Sequence, residues 1–303
     1  MDKSRAAMNK LLCFGFGYSA MALAHRLAAK GWDVSGTVRS ADRAEAIQAA
    51  GFTPVLFSGD EPRADLQTAI LGATHFLVSI PPGNEGDPVL RHHQAHLIDA
   101  PDLKWLGYLS TVGVYGNWDG AWVSEEDEPR PVSERSRTRV AAERAWLDLA
   151  TTHGLPVHIY RLAGIYGPRR NALENLKKGT ARRIHKPGQV FNRIHVEDIA
   201  AVLEASIVKS DPGAIYNVAD DEPSPPQDVV AFAADLLGLT PPPLIPFEEA
   251  GLSPLGRSFY GENKRVKNSR IKSELGVVLT YPSYREGLAA ILTKLDGGLP
   301  TDR

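Results

Sequence analysis

The sequence predicts an α/β protein: a doubly wound parallel sheet covered by helices, followed by a small C-terminal lobe. Three observations predict it. Short apolar runs alternate with helix-forming stretches from residue 11 to about residue 165. The first run, Leu11-Leu12-Cys13-Phe14, ends in Gly15 and Gly17, one residue apart, and a helical pattern, Met21 to Lys30, follows at once. Beyond Asn171 the alternation loosens.

The glycine turn carries specific chemistry. Gly15 permits a sharp reversal, Gly17 lets a phosphate approach bare backbone, and Ala20 is small enough for the helix to pack on the strand. The N–H groups at the start of that helix, around Tyr18, Ser19 and Ala20, have no partner within the helix and suit a pyrophosphate. The pattern G-x-G-x-x-A is weak alone; its place between an apolar strand and a helix makes it specific. A purely structural strand-helix turn is the plain alternative.

Gly31 stops the first helix, and Trp32 to Val38 reads as the second strand, ending in Arg39-Ser40. In dinucleotide-binding sheets this strand end faces the adenosine ribose. An acid there accepts from the 2′-hydroxyl of NAD, whereas an arginine suits the 2′-phosphate of NADP. No acid stands at this point, which favours NADP(H) over NAD(H). The alternative is a solvated strand-end charge.

The next elements follow in order. A helix over 41–50 ends at Gly51, a third strand spans Thr53 to Phe57, and a third helix covers about Asp65 to Leu71. His75 to Ile80 is the fourth strand, halted by Pro81-Pro82-Gly83; a helix runs from Pro88 to Asp99; Trp105 to Ser110 is the fifth strand. A polar loop leads to a long helix, about Glu134 to Thr152, and a sixth strand, Val157 to Ile165. Later helices are expected at Asn171–Gly179, Glu197–Val208, Gln227–Leu237 and Ser283–Leu295, with a strand or loop at 188–196 and a strand at Ala214–Val218. Ligands of such a sheet bind at the carboxyl ends of its strands.

Composition narrows the function. The chain has 303 residues, 43% hydrophobic and 23% charged, with a net charge of −2. That is ordinary for a globular protein and gives no sign of a nucleic-acid or acidic-membrane partner. Met1 to Lys10 is polar and no run is long enough to span a bilayer, so a cytoplasmic enzyme or binding protein is expected, its folded part starting near Met8. The single cysteine, Cys13, reads as a small buried hydrophobe rather than a reactive thiol. The acids Glu125, Glu126, Asp127 and Glu128 read as solvated surface. His92 and His96 share a helix face but lack an evident third ligand, so no metal is expected. Arg257, Lys264, Arg265, Lys267, Arg270 and Lys272 form a local run of cations that either meets an anionic substrate or cofactor phosphates, or is solvated surface.

Together these motifs resemble the extended short-chain dehydrogenase/reductase family, also described as NAD-dependent epimerase/dehydratases. The resemblance rests on the glycine turn, Ser110-Thr111-Val112-Gly113-Val114-Tyr115-Gly116, Arg161 through Tyr166-Gly167-Pro168, the stretch Arg193 to Ala200, and Tyr216-Asn217-Val218. It spans about residues 10 to 295. It implies a Rossmann domain over 11–168 with 190–220 returning to it, a substrate-covering lobe from 169–189 and 221–303, and a flexible N-terminus at 1–10. It further implies that Asp60 sits near the adenine. Ser79, Ile80 and Pro81 would lie along the cofactor, and Gly164 to Pro168, with Tyr166, would pass the nicotinamide.

The chain departs from the family at its catalytic pair. The resemblance implies a Ser or Thr after the fifth strand that holds substrate, here Ser110 or Thr111, and a Tyr-x-x-x-Lys on the next long helix. Counting back from Ala141-Ala142-Glu143, those positions hold Arg135 and Arg139, and no tyrosine lies between Tyr115 and Tyr160. Arginine stays protonated, so Arg135 cannot act as a base. Arg139 retains the ability to donate to ribose hydroxyls or to stabilise negative charge. Two readings follow. One is an NADP(H)-dependent oxidoreductase or epimerase acting on a small or nucleotide-linked substrate, with Tyr115 or Tyr166 replacing the missing phenol. The other is a catalytically silent dinucleotide-binding sensor. The helices at 88–99 and 134–152, through which the family often pairs subunits, mix apolar and charged residues and leave monomer or homodimer open.

Overall fold

The computed structural model describes residues 9–296. Most of the segment expected to be flexible, residues 1–8, lies outside the described residues. Two compact units are present. The first comprises the chain up to Thr111, Glu134–Arg161 and Ala200–Tyr216; the second comprises Val112–Ser133, Leu162–Ile199 and the chain from Asn217.

The chain opens with the expected alternation: β1 (Lys10–Phe14), α1 (Tyr18–Ala28), β2 (Asp33–Val38), α2 (Ala41–Ala49), β3 (Thr53–Leu56), α3 (Ala64–Gly72), β4 (His75–Val78), α4 (Pro88–Ile98) and β5 (Trp105–Thr111). A 3-10 turn (Val112–Tyr115) leads to β6 (Trp122–Val123), α5 (Glu134–His153), β7 (Val157–Leu162), β8 (Gly164–Tyr166), α6 (Ala172–Lys177), β9 (Arg183–His185), β10 (Arg193–His195), α7 (Val196–Val208) and β11 (Ile215–Val218). The remainder is α8 (Pro226–Leu236), β12 (Leu244–Pro246), a 3-10 turn (Phe247–Glu249), α9 (Pro254–Tyr260), β13 (Arg265–Val266), α10 (Ser269–Ser273) and α11 (Tyr284–Asp296).

The central sheet has seven parallel strands in the order β11-β7-β5-β4-β1-β2-β3. Its middle strands β1 and β4 are apolar apart from their first residues, Lys10 and His75, as suits strands covered on both faces. Leu11, Leu12, Cys13, Phe14, Phe76, Leu77 and Val78 are all fully buried. Burial drives the Cys13 thiol far above its ordinary pKa, so the residue serves as packing. Register fixes which strand ends are neighbours: Phe14 pairs with Val78, Val78 with Tyr108, and Cys13 with Gly36. The carboxyl ends of β1, β2, β4 and β5 therefore form one edge.

Helices α4 and α5 are joined below that edge. Asp87 caps α4, its Oδ1 accepting from the N–H of Val89 (2.8 Å) and Leu90 (3.3 Å). Its Oδ2 accepts from the indole of the fully buried Trp146 on α5 (3.1 Å).

The second unit is assembled from short strand pairs, β8 with β10, β9 with β12, and β6 with β13, packed on α6, α8 and α11. Here the structure differs from the expected single strand at 157–165. Ala163 donates to Val218 O (3.0 Å), and Gly164 then donates to Asn192 O (3.0 Å). The chain thus changes partner after Leu162, and β8 pairs with β10 instead of extending the sheet. The small pairs β9/β12 and β6/β13 have too few residues to show a period-2 pattern. Among the described residues no helix is long and apolar enough to cross a membrane.

Asp220, just after β11, is a buried acid with an unusual environment. Its N–H donates to Arg193 O (2.7 Å), while its Oδ2 is buried without a hydrogen-bond partner. Desolvation pushes its pKa up to about 8, against the opposing pull of Arg193. In an unfolded chain this carboxyl ionises near pH 4. The folded chain therefore holds the extra proton between about pH 4 and 8, and the stability that proton carries is lost as pH rises through that window. Asp220→Asn is expected to gain stability relative to the parent as pH goes from 5 to 8.5, read from urea midpoints. A parent–variant difference independent of pH would contradict the assignment.

Candidate functional site

The glycine turn is braced from both sides. Gly15, at φ +88°, donates its N–H to Thr37 Oγ1 on β2 (2.7 Å), and Phe16 N–H donates to Thr37 O (2.9 Å). From β4, Ser79 Oγ donates to Gly15 O (2.6 Å), and Ser79 N–H donates to Phe14 O (2.8 Å). A side chain at Gly15 would be strained at that φ, and its Cβ would lie 2.8 Å from Ser79 Oγ and 3.0 Å from Ile80. Thr37, fully within the second strand, is a determinant of the turn that glycine spacing alone does not reveal.

Gly17 is different. A Cβ there would meet nothing within 4 Å, and the residue is exposed. It caps α1 without any side-chain hydrogen bond, and the first turn of α1 holds no acid. Tyr18 is half-buried, whereas Ser19 and Ala20 are buried. The result is a bare backbone cradle at the positive end of an eleven-residue helix. These residues fit the diphosphate of a dinucleotide: space for the anion, the positive end of a helix and no competing carboxylate.

Arg39 and Ser40 follow β2 and are exposed. Ser40 Oγ accepts from Arg43 N–H (3.4 Å) as the cap of α2, which brings the backbone of a second exposed arginine, Arg43, beside it. Sequence reading had not singled out Arg43. Asp60 and Pro81 are exposed and Ile80 is half-buried. Ser79 is committed to the turn itself.

At the end of β5 a buried ionic network replaces the expected picture of a free serine. Ser110 Oγ donates to Glu143 Oε1 on α5. Glu143 is paired with Arg161 on β7 through Nη2 (2.8 Å) and Nε (3.2 Å). Ser110, Glu143 and Arg161 are each at most 5% exposed. Arg139, one turn before Glu143, donates to Leu109 O and, at 3.4 Å, to Tyr108 Oη. Two side chains of α5 thus clamp three consecutive residues of β5, leaving Thr111 half-buried at the strand end. Arg135, one turn before Arg139, is exposed. Glu143 and Arg161 were visible in the sequence only as charges inside apolar patterns, which is the signal of a buried pair.

The remaining candidates lie in the second unit. Tyr115 is fully buried and its hydroxyl donates to Asn217 Oδ1 (2.8 Å). Tyr166 is 7% exposed; its hydroxyl donates to Ser283 O (3.1 Å) and burial raises its pKa well above the ordinary value. Gly164 is exposed between them in sequence. The run of C-terminal cations does not form one patch. Lys264 is buried against Glu262 and Gly116 O, Arg265 donates to Gly120 O, Arg270 pairs with Glu274, and Lys272 pairs with Asp221. Among the described residues no group of three or more His, Cys, Asp or Glu side chains could hold a metal ion.

A seven-stranded parallel sheet with a braced glycine turn and an open helix end defines a Rossmann-type fold. The model of the family described as "NAD dependent epimerase/dehydratase family" matches residues 94–219. The chain is similar to Protein YeeZ of Escherichia coli strain K12, 29% identical over 290 residues that cover 91% of this chain and 97% of that protein. It is 25% identical to the 3-diazoavenalumate denitrifying reductase of a Streptomyces species, over 93% of this chain and 99% of that enzyme. Among solved structures, a conserved protein of unknown function from Silicibacter pomeroyi DSS superposes with a TM-score of 0.87 at 52% identity, covering 95% of this chain and 100% of the other.

The ionic network yields a stability test. Removing one member of a buried pair strands a charge and costs about 3–5 kcal/mol. Arg161→Met is expected to lose stability on that scale in urea denaturation, and adding Glu143→Gln is expected to recover part of it. An unchanged midpoint for Arg161→Met would show that the pair does not anchor the strand.

Proposed function

We propose that the protein is an NADP(H)-dependent oxidoreductase or epimerase acting on a small or nucleotide-linked substrate, with a proton route that does not use the family tyrosine. The observation that carries the proposal is the braced, open glycine turn combined with a second strand that ends in Arg39 rather than an acid. When bound, the nicotinamide supplies or accepts a hydride.

The chain's own residues divide the remaining work. Gly15 and Gly17 with the N–H groups of Tyr18, Ser19 and Ala20 hold the diphosphate. Arg39 and Ser40 hold the 2′-phosphate, with Arg43 as a second cation. Asp60 lies at the adenine end, and Ser79, Ile80 and Pro81 line the path. By the family pattern Gly164 and Tyr166 belong to the nicotinamide end. Thr111 orients the substrate oxygen. Ser110 positions it from behind, because its proton is given to Glu143. Arg139, always protonated, stabilises negative charge that develops on the substrate or donates to ribose. Arg135 stays in solvent. Proton donation falls to Tyr115 or Tyr166, each of which must first release its present acceptor, Asn217 or the Ser283 carbonyl.

Those two commitments favour a second reading as well: a dinucleotide-binding sensor without hydride chemistry. The readings separate on turnover. Replacing Tyr115 and Tyr166 singly by Phe is expected to lower turnover at least tenfold for one of them; if both variants turn over as the parent does, neither is the donor.

Cofactor choice has its own test. A charge-assisted contact to phosphate is worth about 1.5–3 kcal/mol, or roughly tenfold or more in affinity. Arg39→Asp is therefore expected to weaken NADPH at least tenfold and NADH much less, measured as dissociation constants. Equal losses for both nucleotides would refute the role of Arg39.

A further inference from the structure

The second unit contains a group of cations that make no ion pair. Arg182 donates to Ala250 O, Arg183 to Pro242 O (3.1 Å), Lys186 to Tyr260 O, and Arg193 to Phe191 O (3.0 Å) and Ser224 Oγ (2.8 Å). Arg257 lies over the Phe247 ring, 4.9 Å from its centroid, and Lys186 over the same ring at 5.3 Å. Four other cations of this unit, Lys264, Lys272, Arg285 and Lys294, are each paired with an acid. Glu248 and Glu249, which follow Phe247, are exposed and form no ion pair with the five.

These cations surround a small aromatic shelf. Phe247 and Tyr260 lie 5.0 Å apart with their planes 32° from parallel, and Phe191 meets Tyr260 edge-on at 5.2 Å. The Tyr260 hydroxyl has no hydrogen-bond partner among the described residues, and the charges acting on it are those of Arg193 and Arg182. Asp220, the acid beside Arg193, holds its proton at neutral pH because burial pushes its pKa up to about 8. Like charges gathered on one shelf repel each other. A latch to a backbone carbonyl leaves a cation's charge unneutralised, so several such cations gathered around one aromatic shelf can meet an anion there.

We propose that this shelf binds the anionic group of the substrate, a carboxylate or a phosphate, carried on a flat apolar body. Phe247 stacks on the body, Arg257 and Arg182 contact the anion, Lys186 supplies charge from the rim, and the Tyr260 hydroxyl donates to it. The site rests on the reading that the second unit receives the substrate, and it names the substrate class for that reading: small aromatic acids or phosphoesters. Charge-assisted pairs and cation–aromatic stacking strengthen together when water is displaced.

The test uses one apolar body with three head groups: 2-naphthoate, 2-naphthyl phosphate and neutral 2-naphthylmethanol. Each is titrated into the full chain by calorimetry, with and without saturating NADPH. At least one anion is expected to bind tenfold or more tighter than the alcohol, with affinity falling as salt is raised. The tighter anion identifies the source, acid or phosphoester. Arg257→Ala, an exposed position with no latch, is expected to cut anion affinity at least fivefold and leave the alcohol unchanged. Tyr260→Phe is expected to weaken the anion by a smaller factor, and Lys272→Ala, paired away from the shelf, to change nothing. Equal binding of anion and alcohol, or anion binding indifferent to Arg257→Ala, overturns the proposal. NADPH binding is read in the same titrations. Loss of the cofactor reading with retained anion binding, or the reverse, shows which of the two fails.

Discussion

The Gly15 turn is the constraint on which the first unit depends. One hydroxyl and one carbonyl of Thr37 hold it to β2, and one hydroxyl of Ser79 holds it to β4. Those bonds fix where β1 stops and where α1 begins. They also engage the turn's own polar groups, so that the start of α1 is held in place by its neighbours on β2 and after β4. The cradle proposed for the diphosphate is shaped by satisfying the groups around it. Gly15 and Gly17 play opposite parts in this arrangement. Gly15 is required because neighbours crowd it and its φ is positive; Gly17 is required because space beside it must stay empty.

A second constraint acts at the end of β5. Glu143 and Arg161 desolvate each other in the core, and the pair holds Ser110 while Arg139 holds the preceding carbonyl. The cost of burying two charges is offset only by good geometry and further hydrogen bonds. Here the further bond is that of Ser110, so the serine is a positioning residue for Thr111 rather than a free hydroxyl. The arginine at the position of the family lysine is likewise tied to the strand. Arg139 thus keeps a cation at the strand end, while Arg135 is exposed.

Much of the fold was legible because its signals are local. Period and punctuation marked β1 to β5 within a residue or two, except that α1 begins at Tyr18, three residues before the expected Met21, since most strands are apolar runs and each helix ends in glycine or a short polar stretch. The cradle was legible for the same reason. What the sequence concealed is non-local. The break between β7 and β8 depends on Val218 and Asn192, dozens of residues away. Strand pairs of two or three residues carry no period at all. The six cations between Arg257 and Lys272 looked like one patch, yet the fold sends Lys264 inward and pairs Arg270 and Lys272 with acids. Only Arg257 joins the shelf, in company with Arg182 and Lys186 from a segment seventy residues earlier. Tyr115 and Tyr166 were attractive donors by type, and no linear pattern announced that Asn217 and the Ser283 carbonyl already accept their protons.

The central claim is that the chain binds NADP(H) in the Gly15–Gly17 cradle and distinguishes it by the end of β2. The most direct measurement is a calorimetric titration of the purified protein with NADPH and, in parallel, NADH. The account predicts micromolar binding of NADPH with much weaker binding of NADH. Binding of neither nucleotide would contradict it, leaving a Rossmann fold that has outlived its cofactor.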